Sequence, residues 1–310
     1  GCRDVTDKPL EGEARKRGIL VEPFRFRNGP NPFGAWKLLS YAKSNRFDII
    51  HSHGYKGNIL LGFIPRKVRR IPMLCTVHGW TSTRFLSLLK LYEWADSMSH
   101  RYLDAVVLVH GAMLTHRNFS GRVHSNIVII NNGIPNNKYD NTNSTLEGYS
   151  SIYEDVVRFC SQRKTVGAIG RLTPEKGFIH LIDAFNLVVA DSYDANLIII
   201  GEGPERSRLE NMIEMNDIGN RVMLAGYIPN ASNYLKYLDI LVIPSLTEGL
   251  PISLLEAMRE KVPVISTDVG GIKDVLGDGE AGIIVKPCDT NGLKQAMCRL
   301  IYDRALAEVL

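Results

Sequence analysis

The chain holds 310 residues, 45% hydrophobic and 23% charged, with a formal net charge of +4, a globular composition with room for two ordinary domains. No apolar run reaches the ~20 residues that a membrane-crossing helix needs, and no signal-peptide pattern opens the chain. Cys2, Cys75, Cys160, Cys288 and Cys298 are scattered and odd in number. Without the close spacing of a zinc site, they read as reduced thiols of a cytoplasmic protein, not as a disulfide framework. The excess charge gathers in Arg15-Lys16-Arg17 and in Arg66-Lys67-Val68-Arg69-Arg70. Solvated surface accounts for such runs. The functional alternative is attraction to anionic lipid headgroups or a phosphorylated acceptor, which would hold the protein peripherally at the inner membrane face. Nucleic acid is not implied, because no aromatic interleaving or reader motif accompanies the charges.

Apolar runs alternate with helical patterns from end to end, which predicts βαβ units, parallel sheets and an α/β fold. The first half is expected to carry strands at Ile19–Phe26, Asp48–Ser52, Met73–Val77, Ala105–Val109 and Asn126–Ile130. Pro135 to Gln162 opens polar and Asn-rich and reads as a linker with a short helix near Ile152–Cys160. Further strands are expected at Val166–Ile169, Asn196–Ile200, Arg221–Ala225, Ile240–Pro244, Val264–Thr267 and Gly282–Val285. The division drawn is a first domain over 1–135, a linker over 136–162 and a second domain over 163–310.

The segment Pro244-Ser-Leu-Thr-Glu248-Gly-Leu-Pro-Ile-Ser-Leu-Leu-Glu256 carries the most chemistry. Glu248 is placed in the turn after an apolar strand. Glu256 is placed about one turn into the helix that Pro251 opens, since proline suits a helix start. The N–H groups between them belong to a helix N-terminus, a ready anion site. One segment thus offers carboxylate acceptors on both sides of a phosphate cradle, and a nucleotide-sugar has hydroxyls at both ends and a diphosphate between. Pro251 has no N–H, so Gly249, Leu250 and Ile252 must supply the phosphate donors. Three more loops follow strands: Gly170-Arg171-Leu-Thr-Pro-Glu-Lys176-Gly177, Gly201-Glu-Gly203-Pro204 and Val269-Gly270-Gly271. All are expected at the carboxyl ends of strands, where open parallel sheets bind ligands. Arg171 and Lys176 are fixed cations for a diphosphate, and a cation at a helix start is unfavourable without an anion. Gly201, Gly203 and Pro204 suit a floor under a nucleoside, and Tyr227 is placed to touch the base.

With Phe47-Asp-Ile-Ile-His51-Ser-His53-Gly54, Thr76-Val-His78-Gly-Trp80 and Ile129-Ile-Asn-Asn-Gly133-Ile134 in the first half, the ordered set resembles the glycosyltransferase group 1 family (family 4). The match is near throughout from Val166 to about Ala307 and looser before. The resemblance implies a GT-B fold, two Rossmann-like domains facing each other across a cleft. It implies a retaining glycosyltransferase that moves a hexose-type sugar from a UDP- or GDP-type donor to a saccharide or lipid-linked acceptor. The nucleotide-sugar is a co-substrate, and no bound cofactor is implied. Glu256 would accept from ribose hydroxyls, Glu248 from hexose hydroxyls, and His78 would contact the transferred sugar on the acceptor side. His51 and His53, two apart on one strand and so on one face, are the acceptor-side candidates. A three-histidine zinc site is conceivable, but no orienting partners can be read for it. No Asp-x-Asp motif for a metal-held diphosphate is present. Relative to the family, the chain reads as a fragment: it opens Gly-Cys-Arg-Asp without a first strand and glycine loop, and stops at Leu310 before the usual terminal helix. An epimerase on the same scaffold and a non-catalytic nucleotide-binding module are the alternatives. A dinucleotide oxidoreductase is disfavoured, because no Gly-x-Gly-x-x-Gly follows a strand with an acid ~20 residues on.

Overall fold

A computed structural model describes residues 9–24, 31–80, 88–115, 119, 126–136 and 150–310. The chain forms two compact units, one within Gly1–Val77, Leu91–Val107 and Ser120–Val128, the other within His78–Lys90, Leu108–Phe119 and Ile129–Leu310.

The first unit is built on β1 (Ile50–His53), β2 (Met73–Val77), β3 (Ala105–Leu108) and β4 (Asn126–Ile129), in that spatial order. β1 and β2 run parallel, with His51 beside Leu74 and His53 beside Thr76. β2 is the buried strand, with Met73, Cys75 and Val77 all in the core. The helix Pro32–Ser44 starts on an Asn31 cap, whose side chain accepts the Gly34 N–H at 2.8 Å, with Pro32 at its first position, as helix starts favour. The helices Tyr55–Gly62 and Leu88–Ser99 approach closely where Gly62 meets Ser99, and Asn58 Nδ2 donates to Asp96 Oδ1 at 2.7 Å.

The structure corrects two readings here. The strand expected at Ile19–Phe26 is absent over Ile19–Phe24, and 25–26 lie outside the described residues. Ile19 and Leu20 are exposed, so an apolar run without a pairing neighbour stays irregular, and Pro23 has no N–H for a ladder. The basic run at 66–70 is also not one solvated patch. Arg69 is 0% exposed; it donates to the carbonyls of Ile71, Ile64 and Leu61 and to Asp104 Oδ2 at 2.9 Å. Asp104 also pairs with Arg66 and accepts the Met73 N–H at 2.8 Å.

The second unit carries β5 (Lys164–Ile169), β6 (Ala195–Ile200), β7 (Val222–Gly226), β8 (Ile240–Ile243), β9 (Val264–Thr267) and β10 (Ile283–Val285). They form a parallel six-stranded sheet in the order β10-β9-β8-β5-β6-β7. Side chains alternate along each strand, so each strand feeds two cores. Val166, Ala168, Leu197, Ile199, Ile240 and Val242 face one layer, under the helices Phe178–Ala190, Arg206–Met215 and Thr290–Tyr302. Ile198, Ile200, Leu241, Ile243 and Val264 face the other, with Leu254, Ala257 and Ile272. A sheet covered on both faces explains why these strands are apolar throughout instead of alternating. The helix Ser150–Cys160 adds Val156 and Cys160 to the second layer. Among the described residues Cys75, Cys160, Cys288 and Cys298 are free thiols, and no helix is long and apolar enough to cross a membrane.

Removing one partner of a buried ion pair leaves the other charge uncompensated, at a cost of roughly 3–5 kcal/mol. Asp104→Ala should therefore destabilise the protein on that scale, read by urea denaturation. Arg66→Ala, which removes the exposed partner, should cost about 1 kcal/mol or less. Equal losses would show that Arg69 does not depend on Asp104.

Candidate active site

The strand order creates the site. β5, β6 and β7 progress to one side and β8, β9 and β10 to the other, so the sheet reverses between β5 and β8. The loops that leave the carboxyl ends of adjacent strands diverge at such a point and open a crevice. The loop after β5 carries Arg171 and Lys176, and the loop after β8 carries Glu248. They are 72 residues apart in sequence, yet Lys176 Nζ reaches Glu248 Oε1 at 2.5 Å. The Ser245 hydroxyl donates to the same oxygen at 2.7 Å. The Leu246 N–H donates to the Glu175 carbonyl at 2.8 Å, tying the two loops by backbone as well.

Glu248 is thus the anion that a cation at this helix start requires. Lys176 ends a 3-10 turn, and Gly177 leads into the helix Phe178–Ala190. Arg171 is turned elsewhere: its side chain is 72% exposed and pairs with Glu175 at 3.5 Å.

The loops after β6 and β9 close the flanks. Gly170 N–H donates to the Ile200 carbonyl and Leu172 N–H to the Glu202 carbonyl. Gly201 sits at φ +154, and a Cβ there would lie 1.8 Å from the Gly170 carbonyl oxygen; only glycine admits this approach. Gly203 and the exposed Pro204 follow, before the helix Arg206–Met215. On the other flank the Gly271 N–H donates to the Gly249 carbonyl at 2.8 Å. Gly249 also packs under the His78 backbone, where a Cβ would fall 2.1 Å from the carbonyl oxygen. The His78 side chain is exposed.

Leu250 is buried and its carbonyl accepts from Asn132 Nδ2 at 2.8 Å, whereas Ile252 is exposed. Tyr227 follows Gly226 and is 55% exposed. The helix begins at Ile252, with Pro251 at its cap position, and Glu256 lies just over one turn in. Burial pushes the Glu256 carboxyl up, against the pull of Arg259 and the Ser232 hydroxyl that hydrogen-bonds it.

The second unit therefore gathers Gly170, Arg171, Lys176, Gly201, Gly203, Pro204, Tyr227, Glu248, Gly249, Leu250, Ile252, Glu256 and His78. His51 and His53 belong to the first. They share one face of β1 with rings 4.3 Å apart, and His51 Nε2 is 2.8 Å from Thr76 Oγ1. Partial burial, then the neighbouring His53, lowers the His51 pKa. Among the described residues no three His, Cys, Asp or Glu side chains come together as a metal site. The sequence reading missed Ser245 and Ser232. Ser245 stands three residues before Glu248 in Pro-Ser-x-x-Glu, which was a usable local signal; Ser232 had none.

An open parallel α/β sheet with a charged pair at its reversal puts the candidate site outside the carboxyl edge of the strands. Residues 153–310 match the family described as glycosyl transferases group 1, and residues 2–138 match Glycosyltransferase Family 4. The chain belongs to the glycosyltransferase group 1 family, and its two parallel-sheet α/β domains are those of the GT-B fold. It is 26% identical over 306 residues to 2-deoxystreptamine N-acetyl-D-glucosaminyltransferase of Niallia circulans, covering 89% of this chain and 72% of that protein. It is 24% identical over 280 residues to the Escherichia coli UDP-Gal:alpha-D-GlcNAc-diphosphoundecaprenol alpha-1,3-galactosyltransferase, covering 87% of this chain and 70% of that one. The crystal structure of Anabaena HepE in complex with UDP-glucose shares the fold at a TM-score of 0.81 and 20% identity, over 98% of this chain and 82% of that chain.

A carboxyl whose pKa is raised by burial binds its proton more tightly in the folded state than in the unfolded chain. Its contribution to stability is full below the unfolded value and is lost as pH rises through the raised folded value. Glu256→Gln cannot ionise, so the stability of the wild type should fall relative to this variant as pH rises through and above the ordinary carboxylate range. Thermal melts of both proteins across that range check it, and parallel curves would contradict it.

Proposed function

We propose that this protein is a retaining glycosyltransferase that moves a hexose-type sugar from a UDP- or GDP-type donor to a saccharide or lipid-linked acceptor, in polysaccharide or glycolipid synthesis. The Lys176–Glu248 contact carries the reading. An ammonium has three donors, and Glu248 engages one of them. The others suit the diphosphate, whose charge grows as the glycosidic bond breaks. A cation fixed there stabilises the transition state more than the ground state. Glu248 accepts on Oε1 from both Lys176 and Ser245, which leaves Oε2 for a hexose hydroxyl. Glu256 takes the ribose hydroxyls, and Tyr227 and the Gly201–Pro204 turn take the base and nucleoside. Arg171, exposed and paired with Glu175, swings to the diphosphate. His78 contacts the transferred sugar, and His51 and His53 are the candidates for binding the acceptor. No protein nucleophile is required if the leaving phosphate guides the acceptor to the face it departs from, which gives retention. Family membership and relatives named as sugar transferases support this reading.

A lipid surface is the second partner proposed. Lys67 and Arg70 are exposed around Val68, and the exposed Phe63 and Tyr102 rings lie 6.0 Å apart. Exposed cations and exposed apolar side chains on the one short segment 63–70 suit an anionic membrane face, and a lipid-linked acceptor would be met there.

The two carboxylates should have separable roles. Glu256→Ala should weaken binding of plain nucleotide and of nucleotide-sugar alike, and Glu248→Ala chiefly the nucleotide-sugar. Each lost charged hydrogen bond should cost roughly 1.5–3 kcal/mol in calorimetric titrations. Equal loss of plain nucleotide binding in both variants would sink the assignment.

Turnover decides the class of reaction. Incubated with UDP- and GDP-sugars and acceptor in EDTA, the enzyme should release nucleoside diphosphate and form a glycoside. Lys176→Ala should lower kcat/KM by about 10²–10³, the scale of one lost oxyanion-type stabiliser. An isomerised sugar would indicate the epimerase instead. Binding without turnover would indicate a nucleotide-binding module, and activity restored only by Mg²⁺ would refute the cationic diphosphate site.

A further inference from the structure

His110 has no part in the reading above, yet it is only 3% exposed and both ring nitrogens are engaged. Its Nδ1 accepts the Ala112 N–H at 3.0 Å, and its Nε2 lies 3.0 Å from Asp274 Oδ2. Accepting at Nδ1 leaves the proton on Nε2, aimed at the carboxylate, so two opposed hydrogen bonds hold the ring in one tautomer and one plane. That plane lies flat against Gly271. A Cβ on Gly271 would stand 2.1 Å from His110 Cδ2 and 2.4 Å from Cγ. The Gly271 N–H in turn holds the Gly249 carbonyl. At Gly270 a Cβ would lie 2.4 Å from the carbonyl oxygens of both Glu248 and Gly249. Val109, next to His110, reaches Gly249 with Cγ2, 3.3 Å from where its Cβ would be. All of these residues belong to the second unit.

We infer that His110 is a positioning residue for Glu248: its ring backs the Gly270–Gly271 turn, and that turn holds the Glu248–Gly249 backbone. The inference rests on the proposal that Glu248 binds the sugar of the donor. Asp274 completes the device by fixing the ring. Without the ring, the turn loses the wall it packs on, and Glu248 loses its placement relative to Lys176. Glu256, on the helix beyond Pro251, is not supported through this turn. The defect should therefore fall more heavily on nucleotide-sugar than on plain nucleotide, which would lose the Gly249 N–H but keep Leu250, Ile252 and Glu256.

The test uses the full chain. His110→Ala should weaken nucleotide-sugar binding by about tenfold, the scale of one hydrogen bond, and leave UDP binding within about twofold. Amide exchange at Gly271 should quicken in the ligand-free protein. Asp274→Ala changes an exposed side chain, so it should fold normally and show the same selective loss to a smaller degree. Gly271→Ala introduces the collision with the ring, and the double variant His110→Ala with Gly271→Ala relieves it, so the two losses should be strongly sub-additive. Equal loss of UDP and UDP-sugar binding, additive losses, or unchanged exchange at Gly271 would overturn the inference. A wild type that binds UDP but no nucleotide-sugar would instead overturn the role given to Glu248. The exchange data, read without ligand, would still decide whether His110 holds the turn.

Discussion

The site depends on the contact between Lys176 and Glu248, and that contact depends on where the second sheet reverses. Two charges leaving adjacent strand ends meet because β5 and β8 are neighbours although β6 and β7 come between them in the chain. Partly buried charges are costly unless paired, so each residue satisfies the other. The backbone bonds from Leu246 to Glu175, Gly170 to Ile200 and Gly271 to Gly249 then join four loops into one rim. Glycine is needed where that rim is tightest, because any Cβ at Gly201 or Gly249 would enter a carbonyl oxygen.

Two carboxylates eight residues apart live in different surroundings. Glu248 has a cation and a hydroxyl on one oxygen. Glu256 is desolvated on the helix behind it, with Ser232 and the nearby Arg259 offsetting part of the burial. Glu248 is held in place by those two partners, whereas a desolvated carboxylate such as Glu256 gains most from a ligand that donates hydrogen bonds. The separate duties proposed for these two chemically identical groups rest on that difference in environment.

The first unit shows the same economy of charge. Arg69 is enclosed by carbonyls and Asp104, and Arg66 shares that carboxylate. Half of a run that looks like a uniform basic patch is therefore structural. The residues left outward, Lys67 and Arg70, share their short segment with the exposed Val68.

Much of this was legible in the chain because it is local. Period-2 and all-apolar runs located β2 and β9 at the expected bounds, Met73–Val77 and Val264–Thr267. The glycine loops and the Glu248–Glu256 spacing pointed to a phosphate cradle, since both carboxylates sit on one strand–turn–helix unit. Ile19–Phe26 has strand composition, but a strand also requires a partner, and composition does not supply one. Nor could the sequence reveal that Lys176 rests on Glu248, that Arg171 turns to Glu175, that Asp104 absorbs two arginines, or that His110 lies against Gly271. Those pairings join residues 35 to 161 positions apart or hinge on a side-chain rotation. Propensity and periodicity act over a few residues and determine which segments become strands and loops. Strand order and side-chain packing decide which of those loops meet, because only the folded chain brings distant charges within bonding distance.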